Sequence, residues 1–203
     1  MKLVVATRNK HKLREIKALL KGLGVEVFSL DSFKGVPEVI EDGKTLRENA
    51  VKKAVQVSRF LKKLAVADDS GLEVEYLDGA PGVYSARFSG KGATYKSNNE
   101  KLLGLLKEVQ LTKRKACFKC VIAIADKGKV IGAAEGICRG KIGFESKGDN
   151  GFGYDPLFIP EGFKKTFAQM RASRKNKISH RSIALAKAKN IISKYLSPYL
   201  RSF

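Results

Sequence analysis

Residues 64–71 read Leu-Ala-Val-Ala-Asp-Asp-Ser-Gly, an apolar run that ends on two adjacent carboxylates. Four apolar residues followed by turn formers suggest a short buried strand opening into a loop. Two acids placed there are costly unless they are paired, hydrated or bound to a cation. Hard cations such as Mg²⁺ take carboxylate oxygens and bring phosphates with them. Asp68 and Asp69 therefore point either to metal-assisted chemistry on a phosphorylated substrate or to a capped turn, for which Asp, Ser and Gly are ordinary residues. Asp68 has a further option, pairing with a basic side chain.

Upstream, Lys2 to Ala6 reads as a buried strand leading into a polar loop, Thr7 to Lys12. Leu13, Ile16, Leu19 and Leu20 recur at helical spacing, and the helix should end near Gly22 and Gly24. Val25 to Leu30 is a second strand. A long helix is expected from Thr45 to about Leu64, with Leu46, Ala50, Ala54, Val57, Leu61 and Leu64 as its apolar stripe. Thr45 and Glu48 have capping-box spacing. Downstream come Leu72 to Val74, a turn-rich stretch from Asp78 to Gly92, and a helix near Asn98 to Val109. Strands at Ala116 to Ala125 and Val130 to Ala134 are joined by a Lys-Gly turn, and Gly136 to Gly153 is glycine-rich. A last helix spans Ser182 to Leu196. Strands alternate with helices, so the class is α/β. No repeat and no linker divides the chain, and 203 residues suffice for one sizeable core in two lobes.

Forty Lys+Arg against twenty Asp+Glu give a net charge of +20. That excess suits anionic partners such as nucleotides, nucleic acid or a membrane surface. It also suits a heat-adapted protein, because the chain is rich in Lys and holds only two Met. No acid follows Glu161. The first apolar run, Leu3 to Ala6, is too short for a signal-peptide core or a membrane span, so no membrane association is expected. Three cysteines argue for a reducing cytoplasm rather than a disulfide framework. Cys117 and Cys120 form a CxxC with only Cys138 besides, read as buried structural thiols rather than a zinc or redox site.

The first loop joins a strand to a helix start, where free N–H groups and the helix dipole favour an anion. Arg8, Lys10 and Lys12 add positive charge there, so a phosphate is expected against it. Asn49, Lys53 and Gln56 share one face of the long helix, placed opposite the apolar stripe. Gly151-Phe152-Gly153-Tyr154-Asp155-Pro156 sets aromatics between glycines and an Asp, which suits a base sandwich or a tight turn with core aromatics. Ser179-His180-Arg181 stands at the last helix start, where Arg181 could clamp a phosphate or contact a base. The stretch from Gly90 to Ser97 fails as a P-loop because Tyr95 occupies the second glycine position. Gly148, Gly151 and Gly153 run in the reverse order to a dinucleotide fingerprint.

In order along the chain, Thr7-x-Asn9-x-x-Lys12, Glu41-Asp42-Gly43-x-Thr45-x-x-Glu48-Asn49-Ala50, Ala67-Asp68-Asp69-Ser70-Gly71-Leu72, the run Gly79 to Arg87, Gly151 to Pro156, and Ile178 to Arg181 resemble the Ham1 family of inosine/xanthosine triphosphate pyrophosphatases. The ordered set covers nearly the whole chain. The resemblance implies one domain over residues 1–203, an elongated two-lobed mixed sheet flanked by helices with a central active-site cleft, usually a homodimer. It implies Mg²⁺-dependent hydrolysis of ITP, dITP and XTP to the nucleoside monophosphate and pyrophosphate. Asp69 would be the general base and a metal ligand, with Glu41 the second ligand. Lys12, Lys53, the loop of Thr7, Arg8, Asn9, Lys10 and His11, and Ser70 would surround the triphosphate. Phe152, Gly153, Tyr154, Asp155, Lys175, His180 and Arg181 would surround the base. Ser173-Arg174, where the family pattern has two acids, enlarges the basic C-terminal field, and Gln169, Ser182 and Leu46 are further departures. Two other readings compete with this one. A basic nucleic-acid-binding protein would fit the charge, although no known module is present and specific nucleic-acid binding is not expected. A metal-dependent phosphatase or nucleotidyl transferase would share the metal logic.

Overall fold

The computed structural model describes residues 2–200. Six strands, β1 (Lys2–Val5), β2 (Glu26–Ser29), β3 (Leu64–Val74), β4 (Lys115–Asp126), β5 (Lys129–Ile142) and β6 (Phe158–Pro160), form one mixed sheet in the order β2-β1-β3-β4-β5-β6. Five helices accompany it: α1 (Lys10–Leu20), α2 (Leu46–Leu61), α3 (Tyr95–Leu105), α4 (Ala172–Ile178) and α5 (His180–Leu200). The α/β class is as expected. β1 lies parallel to both β2 and β3, with Leu3 opposite Val27 and Leu64. Parallel neighbours need helical crossovers, which α1 and α2 supply, and strands so covered read as unbroken apolar runs. β5 and β6 run antiparallel, with Gly140 opposite Pro160. Among the described residues no helix is long and apolar enough to cross a membrane.

The chain divides into two compact units, neither continuous in sequence. The first holds residues up to 69, 120–136 and from 181 on; the second holds 70–119 and 137–180. In the first, Leu3, Val5, Leu64, Val66, Ile122 and Ile124 of the strands pack with Ile16 and Leu20 of α1 and with Ala184, Leu185, Ala188 and Ile192 of α5. In the second, Leu72, Phe118, Cys138, Ile142, Phe158 and Phe167 form a core closed by Leu102 and Leu106. Within it, the Phe118 ring meets Phe158 edge-on at 4.7 Å between centroids.

Local signals set several boundaries. Asn9 caps α1, its side chain accepting from the backbone N–H groups of His11 and Lys12. Thr45 caps α2, accepting from Glu48 N at 3.1 Å, while Glu48 itself accepts from Lys44 N. The β4–β5 turn places Lys127 and Gly128 at φ 48° and 83°, the two left-handed residues of a type I′ hairpin. An added Cβ on Gly128 would also lie 2.9 Å from Arg59 Nε, so that side chain would have to shift.

Four expectations are corrected. The long helix ends at Leu61, with Lys62 in the left-handed conformation, so Leu64 opens β3 instead of closing α2. Asp68 to Gly71 is not a loop: β3 runs unbroken from Leu64 to Val74, and the two acids stand mid-strand. β5 continues to Ile142, well past Ala134 and into the glycine-rich stretch. α3 starts at Tyr95, earlier than Asn98, because Thr94 and Ser97 form a reciprocal cap. β6 and α4 carried no clear sequence signal.

Candidate active site

Successive side chains of a strand point to opposite faces, so adjacent Asp68 and Asp69 meet different surroundings. Asp68 is wholly buried. Its Oδ2 lies 3.1 Å from Lys12 Nζ, on α1, and 3.2 Å from Nη2 of Arg181, on the first turn of α5. Arg181 Nε reaches the same oxygen at 3.3 Å, and Arg181 Nη1 donates to Glu15 of α1. Burial alone would raise the Asp68 pKa; Lys12 and Arg181 reverse that and hold it well below the ordinary carboxylate range. Burial would likewise lower the Lys12 pKa, and Arg181 adds to that; Asp68, helped by Asp69 and Cys120, outweighs both, so the pKa is raised and the ammonium stays charged. The option that Asp68 pairs with basic groups is the one realised.

Asp69 faces α2. Its Oδ1 is 3.7 Å from Lys53 Nζ, and the same ammonium donates to Glu41 Oε1 at 2.9 Å. Burial raises the Asp69 pKa; Lys53 and Lys12 only partly offset it, and the Glu41 charge adds to the rise. Asn49 is 1% exposed and its Oδ1 accepts from Gly43 N at 2.8 Å, which ties the segment carrying Glu41 and Asp42 to the start of α2. An added Cβ on Gly43 would fall 2.7 Å from that oxygen, so only glycine fits. Placing Asn49 and Lys53 opposite the buried stripe is corrected here: both are buried, while Gln56 is half-buried.

The first loop differs from a bare anion cradle. The N–H groups of His11 and Lys12 are taken by Asn9, and Asn9 N donates to Thr7 Oγ1 at 3.2 Å. Arg8 Nη2 donates to Val36 O at 3.0 Å, whereas Lys10 and His11 are exposed. The charge available to an anion therefore comes chiefly from side chains.

The second unit carries the other candidates. Asp155, 2% exposed, accepts from Lys175 Nζ at 2.6 Å and from Phe152 N at 2.8 Å. Gly151, at φ +77°, admits this, because a Cβ would lie 2.0 Å from Asp155 Oδ2. The Lys175 ammonium lies 5.1 Å from the Phe152 ring centroid. Asn99 Nδ2 donates to Gly153 O at 3.1 Å and steadies the same loop. Tyr154 belongs to the core: it is 4% exposed and its hydroxyl donates to Ser85 O at 2.9 Å. A base sandwich between Phe152 and Tyr154 is thereby corrected, leaving Phe152 as the half-buried aromatic of the loop. His180 stacks on Phe118 with centroids 4.6 Å apart and 15° between planes. Ser70 is half-buried.

Glu15, Phe118, Asn99 and Ser85 contact the candidate residues, and the sequence did not single them out. Only Glu15 left a trace, standing three residues after Lys12 on the same helical face. Among the described residues no three His, Cys, Asp or Glu side chains gather as a closed metal cage. Mg²⁺ does not need one, since it binds through one or two carboxylates plus phosphates and water. Glu41 and Asp69 already share a single cation, the Lys53 ammonium, and so meet that requirement.

The comparisons concern the whole chain. The model of the Ham1 family matches residues 3–191. A dITP/XTP pyrophosphatase of Desulforamulus reducens is 53% identical over 194 residues, covering 96% of each chain. The structure of a HAM1 protein from Coxiella burnetii superposes with a TM-score of 0.86 at 36% identity, covering 96% of this chain and 99% of that one. The Staphylococcus aureus Ham1 protein gives a TM-score of 0.82 at 35% identity, covering 98% and 100%. The α/β fold is thus shared with solved relatives. The chain belongs to the Ham1 family.

Proposed function

We propose that this protein hydrolyses the non-canonical purine nucleoside triphosphates ITP, dITP and XTP to the monophosphate and pyrophosphate, clearing them from the nucleotide pool. The observation that carries the proposal is the Lys53 ammonium shared by Glu41 and Asp69, two hard-oxygen ligands beside a cation suited to phosphate. When bound there, Mg²⁺ supplies charge neutralisation for the phosphates. Asp69 takes a proton from the attacking water, whose oxygen bonds to the α-phosphorus as the bond to the bridging oxygen breaks and pyrophosphate leaves. A raised pKa suits Asp69 to that task, because it keeps the carboxylate basic. Lys12 and Lys53 stabilise the departing charge, together with the Thr7 to Lys12 loop and Ser70.

At the base end, Phe152, Asp155, Lys175 and His180 form the recognition group. The Lys175 ammonium, fixed by Asp155, suits the 6-oxo acceptor of hypoxanthine and xanthine. Adenine presents an amino donor there and would leave that ammonium facing another donor. We read residues 1–203 as one Ham1-type domain with two lobes, acting in the cytoplasm as a homodimer.

The test is a product assay with ITP, dITP, XTP, ATP and GTP, with and without Mg²⁺. Pyrophosphate and monophosphate from the first three, little from the last two, and none without metal are expected. Orthophosphate as the product, or no turnover, would refute the reading.

A further inference from the structure

In the first unit, buried Ser58 pins the end of α2 to the β4–β5 turn. Its Oγ accepts from Gly128 N at 3.0 Å, and its main-chain oxygen accepts from the N–H groups of Lys62 and Lys63. Arg59 lies against Gly128. Two segments far apart in sequence are thereby set side by side, and they bring five cations together: Arg59, Lys62 and Lys63 from one, Lys127 and Lys129 from the other. Residues 58–63 and 127–129 hold no acid. Among the described residues no ion pair joins any of the five to a carboxylate, and Asp126, next to the turn, accepts from Tyr195 Oη. Phe60 follows Arg59, is 49% exposed, and has its ring tip 4.0 Å from where a Cβ on Gly35 would lie. Two of the lysines occupy backbone positions that disfavour them. Lys62 ends α2 at φ 51° and Lys127 enters the hairpin turn at φ 48°. Glycine or Asn is usual at such a helix end, and Asn, Asp or Gly at the first position of a type I′ turn. The helix dipole accounts for Arg59 near the end of α2, but not for lysines held in left-handed backbone. Side chains kept where the backbone disfavours them point to a use for their charge.

We infer that this surface binds single-stranded nucleic acid without sequence preference, its cations tracking the backbone phosphates and the Phe60 ring stacking on a base. A positive surface and an exposed aromatic ring are the two elements such binding uses. A lipid surface fits less well. Anchoring there needs an exposed apolar helix face, and the apolar stripe of α2 is buried. Phe60 lies about two helical turns beyond Lys53, so the surface is separate from the candidate site at Glu41 and Asp69.

Lys62→Gly combined with Lys127→Asn removes two charges and gives each position a residue its backbone prefers, so Tm should not fall. Fluorescence anisotropy with a labelled oligothymidylate of about 20 nucleotides, at several salt concentrations, reads the binding. Wild-type affinity should fall steeply with salt. In the double variant binding should weaken about tenfold, and the slope of log K against log salt should shrink by about 1.4, two phosphate contacts at about 0.7 each. Phe60→Ala should weaken binding about tenfold with the slope unchanged. Lys164→Gln with Lys165→Gln removes the same charge from exposed positions of the second unit and should change the affinity less than about twofold. Lys63→Gln with Lys129→Gln carries the same comparison if the first double variant does not fold. Equal losses in the variants of the two units would make binding a property of net charge alone and overturn the inference. Displacement of the oligonucleotide by excess ITP would overturn it too, by placing the strand in the candidate site. So would no binding by the wild type, or capture by phosphatidylserine–phosphatidylcholine vesicles through the same residues in place of the oligonucleotide.

Discussion

Among the described residues two arginines are almost wholly buried, one in each unit, and they are held in opposite ways. Arg181 is neutralised by carboxylates, Asp68 and Glu15. Arg114 is held by main-chain carbonyls: Nε donates to Val109 O at 2.8 Å, Nη1 to Gly143 O at 2.7 Å and Nη2 to Leu106 O at 2.5 Å. Its guanidinium also lies 4.2 Å from the Phe144 ring centroid. Leu106 and Val109 follow the end of α3, where carbonyls have no partner inside the helix and the dipole favours a cation. Arg114 therefore completes backbone hydrogen bonding and ties three chain segments together. Arg181 instead joins charged side chains, Asp68 and Glu15, beside the Lys12 of the proposed triphosphate site. The difference teaches that burial alone does not mark a functional arginine; the type of acceptor does.

The largest effect should separate chemistry from architecture. Asp69→Asn keeps the shape of the strand and removes the base, so kcat should fall about 10³-fold. The folded state should not suffer, because burial already disfavours the Asp69 charge. Thermal melting and single-turnover kinetics on the same sample check both halves. Near-normal turnover would mean that the chemistry belongs elsewhere.

Arg114→Ala should do the reverse. It removes three hydrogen bonds to main-chain carbonyls, of which Leu106 O keeps Val109 N, and should cost about 3 kcal/mol, lowering Tm on the order of 10 °C. The kcat/KM of the folded fraction should be unchanged. A selective loss of activity without loss of stability would break the comparison.

How far the sequence foretold these two roles follows from the range of the interactions. The apolar stripes of α1, α2 and α5, the short apolar run of β1 and the long one of β4 were legible because such patterns are local. Asp68 and Asp69 were legible as an unusual pair but read as a loop, since Asp, Ser and Gly favour turns. Sheet pairing overrides that preference, and Gly71 serves close approach: a Cβ there would meet Gly82 O at 2.3 Å. Lys53 and Asn49 were assigned to the polar side because a hydrophobic pattern has no place for a buried ammonium. Tyr154 was offered to the base because an aromatic between glycines resembles a binding loop, yet its hydroxyl finds a buried carbonyl instead. Glu15 left only its place beside Lys12 on α1, and its pairing was hidden for another reason. Its partner is 166 residues away, and no spacing rule spans that distance.

The smallest effect concerns acid. Asp68 has a folded-state pKa held below its unfolded value by Lys12 and Arg181. Below the ordinary carboxylate range the unfolded chain therefore binds a proton that the folded chain does not. The stability this gives is fully present above about pH 4 and is lost as pH falls further, with a slope of up to about 1.4 kcal/mol per pH unit. Asp68→Asn removes that contribution, so its stability should fall less steeply with acid than that of the wild type. Arg114→Ala removes no carboxylate, so its curve should run parallel to the wild type and merely lower. Urea unfolding at several pH values between 3 and 6 measures both slopes. Parallel curves for all three proteins would mean that Asp68 is not the strongly paired acid of the first unit. A shallow slope in Asp68→Asn alone would show that the two buried arginines differ in the electrostatics of their partners, beyond the number of hydrogen bonds each makes.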